Sequence, residues 1–154
     1  MCERVGVGRQ AFLVGVILHV LYQARAQGRR ATLPDVALAI SNPSGTVDDL
    51  LMEMLHTPHR DGTPHPAVAQ AAMEMMNREN RERSGAVSTA ISFLTLYRDP
   101  IVARHVARSD FRVLDLMDPA RPVSLYLVVP PSDRDRVRPL VRLLITLIVR
   151  RLTE

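Results

Sequence analysis

The chain has 154 residues, 47% of them hydrophobic, which is the length of one ordinary domain with enough apolar material for a core and excludes disorder by composition. Aromatic residues make up 4%, with no Trp, so a core has to come from Leu, Val, Ile, Ala and the seven Met, a set suited to packed helices. All 20 basic residues are Arg, against 16 acidic ones and a formal charge of +4, and the two signs are interspersed, which describes a solvated surface and does not single out a nucleic-acid binder.

Cys2 is the single cysteine, which excludes an internal disulfide or a cysteine-based zinc site and fits a reducing, cytoplasmic setting. Residues 1–10 lack the order of charge, apolar run and small residues that marks a signal peptide. From residue 9 to residue 26 apolar positions such as Phe12, Val16 and Val20 are too dense for a surface helix and predict one buried on most sides. Neither residues 11–22 nor residues 141–149 supply the ~20 apolar residues that span a bilayer, so no membrane crossing is expected. His19, inside the first helix, reads as a hydrogen-bonded core residue rather than a ligand.

Gly28 ends that helix, and the Thr32 hydroxyl is placed to accept a free amide of a helix that starts at Leu33 and Pro34 and stops near Ser41. Thr46 is the next cap, with Asp48 and Asp49 in a first turn where the helix dipole favours carboxylates. Residues 56–66 contain three prolines and form a loop. His56, His59 and His65, with Asp61 nearby, fit no compact metal-ligand spacing and read as solvated turn formers. Val68, Ala72, Met75 and Met76 mark the core face of a helix that turns fully polar over residues 77–83. The methionine cluster Met73, Met75 and Met76 reads as core rather than docking surface. A further helix carries Val87, Ala90, Leu94 and Tyr97, and Asp99-Pro100 supplies a cap and first residue for another, to about Arg108.

After Pro122 the pattern changes to V-S-L-Y-L-V-V over residues 123–129, closed by Pro130-Pro131, which predicts a strand covered on both faces. Ser132 and Asp135 have capping-box spacing, and Val137, Leu140, Val141 and Leu144 then follow the helical period, with Arg134, Arg138 and Arg142 on the other side. A lone strand leaves backbone groups unpaired at about 1 to 3 kcal/mol each when buried, so its partner strands are expected in sequence outside this chain or in another chain.

Three stretches carry a resemblance: L-V-G-V-I-L-H-V-L-Y at 13–22, N-R-E-N-R-E-R-S-G-A-V-S-T-A at 77–90 running on to L-Y-R-D-P, and R-P-V-S-L-Y-L-V-V-P-P-S-D at 121–133. They are similar to the TraG/VirD-type coupling proteins of type IV secretion and conjugation, over about residues 12–154. The resemblance implies a mainly α chain: an atypical segment at 1–11, an all-helical domain with its junctions at 12–118, and at 119–154 one β-strand and one long helix from an incomplete RecA-like α/β motor domain. Residues 1–10 and 146–149 depart from the family's pattern.

Proteins of that family are DNA-translocating ATPases that need ATP and magnesium and form hexamers on the cytoplasmic side of the bacterial inner membrane. There they bring relaxase-bound single-stranded DNA to the secretion channel. The resemblance therefore implies other coupling-protein subunits, relaxase, single-stranded DNA and channel components as partners. A P-loop needs a Lys to reach the β- and γ-phosphates, and this chain has none, so no cofactor and no enzymatic activity of its own are expected. The polar block with Arg78, Arg81 and Arg83 reads as surface ion pairing or, functionally, as a contact with DNA or a partner. Arg138 and Arg142 read as a solvent-facing stripe or one that follows a phosphate backbone. The rival reading is a free-standing helical nucleic-acid-binding or protein-interaction module.

Overall fold

The structure, a computed structural model, describes residues 2–59, 61–117, 120 and 122–154, with side chains from Gln10 onward. Expectations resting on the side chains of residues 1–9, and the predicted boundary between 118 and 119, lie outside the described residues; so does Arg121 of the third motif. The chain forms two compact units, Met1–Ala107 and Arg108–Glu154.

In the first unit, α1 (Cys2–Ala26) is followed by α2 (Leu33–Ile40), α3 (Val47–His56), α4 (Pro66–Met76), α5 (Asn80–Leu94), a short 3-10 turn (Thr95–Arg98) and α6 (Pro100–Val106). The predicted caps are present. Thr32 and Thr46 each accept the amide three residues on, while Asp35 and Asp49 bond back to the cap's own amide at 2.7 Å, completing two capping boxes. Asp99 accepts from the amides of Ile101 and Val102 at 2.8 and 3.2 Å and so starts α6. The polar block divides differently from the sequence expectation: α4 stops at Met76, and α5 begins at Asn80 with no side-chain cap, so Arg81 and Arg83 open a new helix.

α1 packs chiefly on α4, α3 also packs on α4, and α2 lies against α5. Phe12, Val16, Leu51, Met54 and Val68 are fully buried among these helices. The closest approach is at Gly15, where an added Cβ would sit 2.5 Å from the Cβ of Ala71 and 3.2 Å from Met54 Cε. Only a residue without a side chain lets α1 come this close to Ala71 of α4. One side of α1 is less covered than its density predicted, since Val14 and Leu21 are about half exposed. Of the three clustered methionines Met75 is buried, whereas Met73 and Met76 lie at the surface.

The second unit holds a 3-10 turn (Val113–Met117), a stretch at 122–130 that is neither helix nor strand, a second 3-10 turn (Pro131–Asp133) and α7 (Arg134–Thr153), which packs against both turns. The strand expected at 123–129 is absent, and with it the expected strand and helix of a RecA-like α/β motor: among the described residues there is no strand or sheet. Its apolar side chains are open to solvent instead of covered on both faces, Tyr126 at 82% and Val128 at 88%. Among the described residues no strand lies beside this stretch to offer a ladder of donors and acceptors. The Ser132–Asp135 box is also not formed; Asp133 precedes the helix without a side-chain cap bond and pairs with Arg136 at 3.1 Å. Among the described residues no helix is long and apolar enough to cross a membrane.

Candidate functional site

Three of the arginines of α7 fall at every fourth position. A step of four residues advances about 6 Å along a helix and turns little more than one revolution, so Arg134, Arg138 and Arg142 stand in one row. The stretch at 122–130 lies alongside, and together they form a groove of about 750 Å³ lined by Leu127, Val129, Arg134, Arg138, Val141 and Arg142. Asp135 is the acidic side chain on its wall. Arg138 and Arg142 are exposed and, among the described residues, take part in no ion pair. The groove thus offers guanidinium donors beside apolar surface, a combination that can take phosphate or carboxylate groups bidentately.

The other predicted contact residues belong to the first unit and have diverging roles. Arg83 is engaged internally: it pairs with Asp48 of α3 at 3.0 Å and donates to Asn80 at 3.1 Å, tying the start of α5 to α3. Arg78, in the connection before α5, and the exposed Arg81 have no such partner among the described residues. Sequence spacing placed the three together; the helix break at 77–79 separates their tasks.

A second polar cluster joins residues far apart in the chain. His19 is buried at 1% exposure, and its Nδ1 lies 2.8 Å from Nε2 of His59. His59 Nδ1 accepts from the His65 backbone amide at 3.0 Å, and His65 Nδ1 accepts from Ala67 at 3.2 Å, so that His65 caps α4. Tyr22 stacks edgewise on His59, with ring centres 5.5 Å apart, and lies at 5.4 Å from His65. Burial pushes the pKa of His19 down, against the pull of Glu53 and with a further push from His59. Burial, with His65 beside it, does the same to His59. The expectation of a hydrogen-bonded core His19 is met; that of a solvated His59 and His65 is not, because both pack on α1. No sequence signal links positions 40 residues apart, which is why the loop histidines were read as surface. Among the described residues no group of three His, Cys, Asp or Glu side chains is placed to hold a metal ion.

Comparison with known proteins adds the context for these surfaces. The family described as type IV secretory system conjugative DNA transfer matches residues 8–154. Two relatives, both conjugal transfer protein TraG from Escherichia coli, are 51% identical over 145 residues and 50% identical over 144. Each alignment takes in 94% of this chain but 23% of the relative, so the chain spans about a quarter of their length. No solved structure matches it.

Proposed function

The chain belongs to the type IV secretory system conjugative DNA transfer family, and from that premise we propose that it serves as part of a coupling protein, linking relaxase-bound single-stranded DNA to the secretion channel. The observation that carries this reading is the 51% identity to a conjugal transfer protein across nearly the whole chain. Its place would be the cytoplasmic face of the inner membrane, beside other coupling-protein subunits. The helical first unit recognises partners, and the groove at Arg138 and Arg142 contacts phosphate or acidic groups. With no Lys in the chain to reach a β- or γ-phosphate, it hydrolyses no ATP by itself, and the nucleotide and magnesium of coupling proteins are held by other segments.

The test is a graft. Residues 8–154 replace the matching segment of E. coli TraG, and transfer of a conjugative plasmid is counted. Transfer close to that of the parent is expected; a graft that accumulates normally yet transfers nothing overturns the reading. In the same graft Arg138→Ala with Arg142→Ala should weaken single-stranded DNA binding. The slope of log affinity against log salt should fall by about 1.4, at about 0.7 per lost phosphate contact. An unchanged slope removes the groove from the DNA path. The second reading, a free-standing helical module, draws on the self-contained core of Met1–Ala107. It predicts partner or nucleic-acid binding by the isolated chain with no transfer by the graft.

A further inference from the structure

His19 Nε2 is a buried side-chain nitrogen with no hydrogen-bond partner, and the bonds around it determine where its proton sits. A backbone amide can only donate, so His59 Nδ1 must accept from His65, and neutral His59 carries its proton on Nε2. That N–H donates to His19 Nδ1, which leaves the proton of neutral His19 on Nε2. There it faces Glu53 Oε1 at 3.9 Å, just beyond hydrogen-bond reach. An additional proton on either ring converts an acceptor to a donor and sets N–H against N–H, so one of the two bonds must break. His56 behaves in the opposite way: its Nδ1 donates to the Met52 carbonyl at 2.7 Å, a bond that survives protonation.

We propose that His19, His59 and Glu53 form a proton-operated latch. With neutral rings, His59 fastens the α3–α4 loop to α1. Once His19 is charged, its Nε2–H swings to the Glu53 carboxylate, its Nδ1 repels the His59 N–H, and the loop that leads into α4 is released. The unpartnered Nε2 is then the half of the device kept in readiness for the charged state.

The surroundings are consistent with two such states. On α1, Tyr22 packs on His59 and Gln23 donates to Glu53, holding that carboxylate near His19. A cleft of about 280 Å³ lined by His19 also brings in Arg29 and Asp35, which pair with each other at 3.2 Å, and Asp49, engaged by Thr46. The loop adds Asp61 and His65, and the last turn of α3 adds His56. The buried faces of α2, α4 and α5 carry no titratable group. Glu53 favours a charged His19, while burial opposes it and prevails, so release comes below the ordinary histidine pKa of about 6.5.

Amide hydrogen exchange on the whole chain, followed by NMR from about pH 7.5 to about pH 5, tests this. The His65 amide is itself one of the latch bonds, and the Val16 and Leu51 amides report the core. The His65 protection factor should fall by up to about tenfold per pH unit as the pH drops from about 6.5, and should stay below that of the core amides throughout. Glu53→Gln, at an exposed side chain, should move the midpoint to lower pH. His59→Gln, whose amide can present either a donor or an acceptor to His19, should remove the pH dependence. A flat His65 profile, His65 protection equal to that of Val16 and Leu51 at every pH, or a midpoint unmoved by Glu53→Gln would each overturn the latch.

Discussion

The two units use similar residues for opposite ends. Met1–Ala107 encloses Phe12, Leu51, Met54 and Val68 completely, whereas among the described residues of Arg108–Glu154 no side chain is fully buried, although α7 is rich in Leu, Ile and Val. Apolar periodicity identifies which side of a helix avoids water; it does not supply the second surface. In the first unit that surface comes from helices joined by short loops, with α2, α3, α4 and α6 each started by a side-chain cap. In the second, the candidate partner is a stretch with no sheet to join.

Substitutions can widen or erase the contrast. Leu51→Ala, deep in the first unit, should cost about 2 to 5 kcal/mol of unfolding free energy in a urea titration, against less than about 0.5 kcal/mol for Leu147→Ala on the open side of α7. Equal losses would mean the second unit has a core of its own. Gly15→Ala sets a Cβ against Ala71; overpacking of about 1 to 3 kcal/mol should outweigh the roughly 1 kcal/mol that alanine adds to a helix. A net gain would show that α1 and α4 can move apart freely.

Removing the cap at Thr32 by Thr32→Ala should lower stability by about 1 kcal/mol, read from the thermal midpoint of the same unit. Acid should loosen the first unit. His19 and His59 are held below their ordinary pKa when folded, so their contribution is complete above about pH 6.5, and it is lost as the pH falls from there through the lowered folded values. Asp35 adds a loss at lower pH: burial works against its carboxylate, but bonds from Thr32 and Arg29 prevail and lower its pKa. A thermal midpoint for unit one that does not change between about pH 7.5 and about pH 5 would remove the histidines from its stability.

What could be read in advance was local chemistry. Thr32, Thr46 and Asp99 announced three helix starts because a cap needs only its next three residues. Asn77 to Arg83 hid a helix break because α5 begins without a capping side chain and with no Pro or Gly to mark it. The β-branched run at 123–129 suggested a strand, yet a strand exists only with a neighbour, and propensity carries no information about one. For the site, the row of Arg138 and Arg142 was visible from spacing. The joining of His19 to His59 was not, since loop closure across 40 residues leaves no periodic trace.

The open stretch at 122–130 also bears on how the molecule survives in a cell extract. A protease needs its substrate extended and unpaired in the cleft, a shape that residues inside a helix take up only by unfolding. Around Tyr126 no helix has to unfold first, and the side chain is open to solvent. A chymotrypsin-like enzyme should therefore clip there first, parting α7 from the preceding residues while the helices of Met1–Ala107 remain whole, and the first fragment to accumulate marks the least protected backbone in the chain.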